Sequence, residues 1–529
     1  MDQMNIIIPE RLLYPNALLL GIIFLGFVVL SGWLCRFFLS RKKSRPVIIG
    51  GLVIAGIVLC GLMMFSMNPG HDEVEHVHAA WQISRGLLPY TDFFQHHSPV
   101  FWVLFAPIFK LSFVTGHILE VVRVLSTGLS LLAFFFVYLT AKTIYQEEKL
   151  WIVVLLFFYA HYTSLGFSDF RPDTLANLSN AVTFYILLKY QKAWGDWAAG
   201  FFTGVSLSLS PKYAPLILVL PFLKLWHFRK IGPFMRSLLL YGTGLIVGLL
   251  PLFLWLSAHH LVKPFYDFVI ALNVGLKVGK DYALHGRFFF IITLFAGFGI
   301  YRLFRSGSDH LRYCAWFLCG IVFFSSLVYL KPSRYFHEYY QQMYLLTVLT
   351  AGSGPLFHLF KEGMSHKKSV LVFLLAGVIL WPDIHLAQRF FRKHAFSKGM
   401  SSINTLREVA GDDKVVCITP NHPITSRDAT FINTGWQYQA YLSKPQCRAR
   451  MTHLVQEIKT KKPAIILEKP SFFKEDTGLV AYLLRLHILS SEDAEDLTDY
   501  LNRNYRLQTL FNQDYWIRND RYEKCFVKH

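Results

Sequence analysis

At 529 residues the chain is too long for one ordinary soluble domain. With 53% hydrophobic residues, 48 phenylalanines and only 16% charged residues, it carries more apolar surface than a water-soluble fold of that size can hide. The formal net charge of +19 comes with no basic soluble domain and no RNA-binding motif, so Lys and Arg are read as cytoplasmic-loop and lipid-phosphate residues, and nucleic acid is not an expected partner.

Apolar runs that span or nearly span a bilayer lie at about 15–38, 46–67, 118–140, 150–167, 174–190, 197–209, 211–227, 237–258, 287–304, 313–330, 340–360 and 368–382. They predict about twelve transmembrane helices. The two short runs meeting at Ser210-Pro211 read either as one broken hairpin or as two tilted helices. Residues 99–113 form a short run with two prolines, predicted as interfacial or re-entrant rather than spanning. The first run has no basic segment before it and no small-residue cleavage site after it, so no cleavable signal peptide is expected. The seven cysteines show no paired metal-type spacing.

Lys and Arg set the orientation. Arg41, Lys42, Lys43 and Arg45, then Arg229, Lys230 and Arg236, then Arg302, Arg305 and Arg312, then Lys361, Lys367 and Lys368 fall in loops of one parity, expected to be cytoplasmic. The loops at 68–98, 168–174, around 211, 259–286 and 331–339, and everything after 382, then face outward. The tail from about 400 is polar and mixed. Val415 to Thr419 and Ala464 to Glu468 read as strands, with helical patterns at 448–460, 476–487 and 492–503. The predicted architecture is an α-helical polytopic membrane protein with a small C-terminal α/β domain outside the membrane. Its parts are an extra N-terminal helix and basic loop (1–45), a transmembrane region (46–382) with outer loop 68–98, and a linker plus α/β domain (383–529).

The unusual polar residues gather on the outer side. Outer loop 68–98 contains His71, Asp72, Glu73, Glu75, His76 and His78, then Tyr90, Asp92, His96 and His97. A carboxylate in a partly dry pocket accepts a proton from a hydroxyl nucleophile, and a neighbouring acid raises its pKa toward working pH. Acidic residues in a first helical turn also simply suit the helix dipole. Asp169, Arg171 and Asp173 lie between two apolar runs. Lys212 interrupts a nearly uncharged stretch, Lys263, Lys277 and Lys280 precede the ninth helix, and Lys331, Arg334, His337 and Tyr340 precede the eleventh. Cations there suit a phosphate or pyrophosphate leaving group, and each singly also suits an interfacial side chain. His71, Glu75 and His78 share one helix face at spacings of four and three, which leaves a divalent metal open without matching a known motif.

Asp72-Glu73, the helix through Ala79-Ala80, Gly86, Pro89-Tyr90 and Asp92 resemble the first outer loop of the GT-C glycosyltransferases, in particular the bacterial protein O-mannosyltransferase and lipid A aminoarabinose transferase group. Arg171-Pro-Asp173, Ser210-Pro-Lys212-Tyr213 and Arg334-Tyr-Phe-His337-Glu-Tyr-Tyr340 resemble further segments of that group, over roughly residues 46–382. The resemblance implies an inverting transfer of a sugar from a polyprenyl-phosphate donor to an acceptor on the outer face of a bacterial cytoplasmic membrane, with membrane lipid as surroundings. It places Asp72 at the family's catalytic acid. Glu73 is expected to tune or orient Asp72, Arg171, Lys212 and Arg334 to hold the donor phosphate, and Asp173, His337, Tyr340, Tyr90 and Asp92 to bind substrate. Glu75 and His78 depart from the pattern. The rival readings are a transporter or flippase of lipid-linked sugars, which would place polar groups near the midplane and often show inverted repeats, and a glycan polymerase or ligase.

Overall fold

The computed structural model describes residues 69–111, 117–145, 169–227, 231–275, most of 297–329, and, towards the C-terminus, 395–417, 422–431, 445–469 and 478–527 save 486. The first described helix, α1 (His71–Ser84), starts at Gly70. Asp72 and Glu73 occupy its first turn, and the Gly70 amide donates to Glu73 Oε2 at 3.3 Å. It ends where Gly86 takes a φ of +82°, which a β-carbon would oppose. The run with two prolines becomes a short helix, α2 (Val100–Phe105), followed by a 3₁₀ turn (Ala106–Lys110). At 11 residues, it is too short to span, as predicted.

The long helices follow: α3 (Ile118–Tyr145), α4 (Pro172–Lys189), α5 (Ala193–Leu209), α6 (Val219–His227), α7 (Ile231–Ala258) and α8 (Asp309–Tyr329). Pro172 sits in the first turn of α4, where its missing N–H has no intrahelical acceptor to lose. Between α5 and α6, Pro211 and Pro215 hold Pro211–Leu218 as 3₁₀ helix. Ser210 is extended, so the two apolar runs meeting there are separate helices and not one interrupted element. Among the described residues, α3 and α7 are long and apolar enough to cross a membrane. At about 1.5 Å per residue a 28-residue helix reaches about 42 Å. The outward face of α7 exposes Leu239, Ile246 and Leu254. The predicted runs at 15–38, 46–67, 150–167, 340–360 and 368–382 lie outside the described residues.

Helices α5 and α7 touch backbone to backbone. A β-carbon on Gly200 would fall 2.0 Å from the Tyr241 carbonyl oxygen, on Gly204 2.3 Å from that of Leu245, on Gly244 2.0 Å from that of Trp197, and on Gly248 2.2 Å from that of Phe201. Each helix thus presents two glycines four apart, the spacing that lets apolar helices approach closely. Near the other end of α6 the Lys224 ammonium lies 2.9 Å from Asp196 Oδ1 of α5, and the Ser237 hydroxyl of α7 donates to the same carboxylate. These groups are all buried, so the charges are matched within the bundle.

The C-terminal residues form a four-stranded sheet in the order β1-β2-β4-β3. Strands β1 (Val415–Val416) and β2 (Ile465–Lys469) are parallel. β4 (Gln513–Arg518) runs antiparallel to both β2 and β3 (Tyr505–Leu510). The helix expected over 448–460 is two, α9 (Pro445–Met451) and α10 (Leu454–Lys461), followed by α11 (Leu479–Arg485) and α12 (Ser491–Asn504), while residues 418–419 of the first expected strand lie outside the described residues. The β3–β4 hairpin is a new feature. Phe511 and Asn512 both adopt positive φ at its two-residue turn, with no glycine to announce it. The hydrophobic core of this sheet runs without a break into Tyr90 and Phe94 of the loop after α1, Leu252 and Leu256 of α7, and Phe268. The Phe94 amide donates to the Phe431 carbonyl at 2.8 Å. The tail is therefore seated on the loop after α1 and on the end of α7.

Candidate functional site

The adjacent carboxylates at the start of α1 have different surroundings. Glu73 is fully buried, and its two oxygens receive the Arg123 guanidinium of α3 in a fork, Nε to Oε1 at 2.7 Å and Nη2 to Oε2 at 2.6 Å. Asp169 lies beside them. Burial, with the Glu73 charge added, pushes its carboxyl up to about 7. Asp72 is 30% exposed and faces Arg171, whose Nη2 is 2.7 Å from Asp72 Oδ2 and 3.9 Å from Asp173 Oδ2. Asp173 in turn pairs with the Lys212 ammonium and accepts from the Tyr213 hydroxyl at 3.2 Å, which also reaches Asn177. Extended Ser210 and the following proline turn set Lys212 and Tyr213 at this place, while the extended backbone of Arg171 ahead of Pro172 starts α4 here.

The structure thus brings Asp72, Arg171, Asp173 and Lys212 into one chain of charges from three segments. Arg334, His337 and Tyr340, and also Lys277 and Lys280, lie outside the described residues. Lys263 pairs with Asp267 on the surface. Tyr90 and Asp92 hold the loop itself: the Tyr90 hydroxyl donates to the His97 carbonyl at 2.5 Å, and Asp92 accepts from the Leu88 amide at 2.7 Å.

A second polar layer lies one turn further along α1. Glu75 is buried, and burial together with the Asp72 charge pushes its carboxyl up to about 8. Its Oε1 lies 3.7 Å from His96 Nδ1. The His96 and His97 rings are 3.9 Å apart, and His76 meets His97 edge-on at 4.8 Å. The Trp102 indole donates to His76 Nδ1 at 3.1 Å. Burial, with Arg171 and His96 nearby, holds the His76 imidazole well below its usual range, so it stays neutral with its proton on Nε2.

His78 turns to the tail. Its Nδ1 lies 2.5 Å from the Ile424 carbonyl and its Nε2 2.9 Å from Asp428 Oδ2. His422 meets the other Asp428 oxygen at 3.0 Å and accepts the Ile424 amide on Nδ1 at 2.9 Å. The Gln82 amide reaches Asp428 as well, at 2.5 Å. The set His71, Glu75 and His78, expected from spacing as one metal face, is divided. His71 and Glu75 stay with Asp72, and His78 is engaged with the tail. Side chains at i and i+3 start on one face, yet long rings reach different neighbours. Arg123, Gln95, Asp428 and His422 are not singled out in the sequence. A buried arginine in the apolar run of α3 is the signal that could have found Arg123.

No protein-family model and no curated protein matches the chain. Among solved structures it is similar to ArnT from Cupriavidus metallidurans in the apo state, with a TM-score of 0.52 at 12% identity over 88% of this chain and 98% of that one. The chain has the GT-C fold. It is also similar to an oligosaccharyltransferase from Archaeoglobus fulgidus in complex with Zn and sulfate, with a TM-score of 0.44 at 10% identity over 86% of this chain and 71% of that one. At 12% identity it is the fold that is shared. The chemistry at the start of α1 rests on the side chains of this chain.

Proposed function

We propose that the chain is a membrane glycosyltransferase that moves a sugar, with inversion, from a polyprenyl-phosphate-linked donor to an acceptor on the outer face of the cytoplasmic membrane. The observation that carries this reading is the linked row Asp72, Arg171, Asp173, Lys212 at the mouth of an apolar helix bundle. Two cations sit there, each engaged with a carboxylate. A donor phosphate competes for both: Arg171 offers a fork and Lys212 a point charge. As the bond between the anomeric carbon and the phosphate oxygen breaks, its electron pair remains on the phosphate, where these cations stabilise it. Asp72, relieved of Arg171, accepts the proton of the acceptor hydroxyl as that oxygen bonds the anomeric carbon. Arg334, His337 and Tyr340 complete the donor side in this proposal.

The test is turnover of a polyprenyl-phosphate-sugar by the purified full-length protein. Asp72→Asn keeps size and hydrogen bonding but removes the base, and should lower the rate by about 10²–10⁴. Arg171→Ala should act chiefly on donor binding. Full activity in Asp72→Asn would falsify the base assignment. Absence of donor cleavage in the wild type, together with movement of the lipid-linked sugar across vesicles, would instead favour a carrier.

A further inference from the structure

Helix α1 carries Asp72, so whatever holds α1 decides where Asp72 points. On one side Glu73 is gripped by Arg123, and Val74, Val77 and Ala80 are fully buried. At about 100° per residue these apolar positions lie within about 100° of Glu73 round the helix. His78 and Gln82 lie about 140° and about 180° from Glu73, on the other side. There the tail takes hold. Asp428 Oδ2 is 2.9 Å from His78 Nε2 and accepts from the Gln82 amide at 2.5 Å. His78 Nδ1 is 2.5 Å from the Ile424 carbonyl, and the His78 and His422 rings are 3.9 Å apart. Asp72 projects into the arc between the two grips, about 100° from Glu73 and about 80° from Gln82.

The tail segment that makes this grip is strained. Ile424, buried and β-branched, has a φ of +53°, in the left-handed region that such residues rarely enter. That conformation presents its carbonyl to His78 while its amide donates to His422 Nδ1 at 2.9 Å. Strain of this kind persists only where the surroundings over-determine it, and it gathers at functional places. Stability alone does not call for the network, because apolar residues of similar volume often hold a buried position as firmly as a charge with its partners. Directional polar contacts add a defined rotation, which the non-directional apolar contacts on the Val74 side do not. We infer that Asp428 is a positioning residue: through His78 and Gln82 it fixes the rotation of α1 and so holds Asp72 in line with Arg171 and the acceptor, an assignment that rests on the proposed sugar transfer.

The experiment uses the purified full-length protein, with turnover of a polyprenyl-phosphate-sugar followed at a temperature where every variant is folded. Asp428→Asn should lower kcat by about ten- to a hundredfold, the effect of a misplacement of about 1 Å, and leave the donor KM within about twofold of wild type. Asp413→Asn breaks the pairs with Arg518 and Arg521 elsewhere in the tail, so it should lower the melting temperature and leave kcat unchanged. Should Asp428→Asn fail to fold, Gln82→Leu removes one contact of the grip and makes the same test. The geometry is read separately, without turnover. Asp72→Cys with Arg171→Cys, joined by a short bifunctional thiol reagent and mapped by mass spectrometry, should cross-link about tenfold more slowly once Asp428→Asn is added. Unchanged cross-linking, or a kcat that falls alike in Asp413→Asn and Asp428→Asn, overturns the assignment. If the wild type turns over no donor, the sugar-transfer reading fails, and the cross-linking rate still decides whether Asp428 sets α1.

Discussion

Asp72 and Glu73 are chemically alike and adjacent, yet only one is open to solvent. Glu73 lies at 0% exposure with both oxygens held by Arg123, while Asp72 remains partly open to solvent and to Arg171. Burying a lone charge is far costlier than burying a matched pair, so removing one member leaves the other uncompensated. Glu73→Gln and Arg123→Met should each destabilise by about 3–5 kcal/mol, while the double change to apolar residues recovers much of that loss. Thermal melting of the four proteins in detergent measures the coupling. Single and double variants that melt alike would show that the fork contributes nothing. Asp72→Asn should melt within about 1 kcal/mol of wild type, so its loss of turnover would read on chemistry and not on folding.

At the scale of helices, the contact between α5 and α7 depends on the absence of four side chains. A β-carbon on Gly244 or Gly200 would meet a carbonyl oxygen at 2.0 Å, a distance no rotamer change relieves, because the obstacle is backbone. Gly244→Ala should therefore force the helices apart and cost about 1–3 kcal/mol. Gly128→Ala in α3 and Gly242→Ala in α7, where nothing lies within 4 Å of the added atom, should be neutral or slightly stabilising. Melting temperatures of the three variants decide it, and equal effects at Gly244 and Gly242 would contradict the close approach. Pro215 makes the neighbouring point: it occurs inside a helical segment that is 3₁₀ there, and Lys212 and Tyr213 are placed by that tighter winding.

At the scale of the whole molecule, the tail and helix α1 are joined by the buried set His78, Gln82, His422 and Asp428, with Trp81 stacked on His78. Burial, with His78 close by, lowers the His422 pKa to about 4 even though Asp428 opposes the shift. Between about 4 and the usual 6.5 the unfolded chain therefore binds a proton that the folded chain refuses. Stability contributed here is fully present above 6.5, falls as the pH drops through this window, and amounts to about 3 kcal/mol. Asp428, held well below the carboxylate range by the two imidazoles against its own burial, stays charged throughout the window. Melting followed from pH 7 to pH 4 should show a decline that is shallower in His422→Gln. An equally steep decline in the variant would assign it to other groups.

The sequence by itself determined the helix-rich character, the two long apolar helices among the described residues, the strands at 415 and 465, and which charges, Asp72, Arg171 and Lys212 among them, stand out beside the apolar runs. These are local or compositional properties: apolar run length, proline placement and alternation act within a few turns of chain. Only the tertiary structure decided that Glu73 belongs to Arg123 and Asp72 to Arg171, since two carboxylates one residue apart point about 100° apart around a helix and their partners lie 50 and 99 positions away. It also separated Glu75 from His78, closed a hairpin at Phe511-Asn512 that has no glycine, and set the tail on α1 and the loop that follows it. Each of these depends on which surfaces meet across long stretches of sequence, and periodicity within one element carries no information about that.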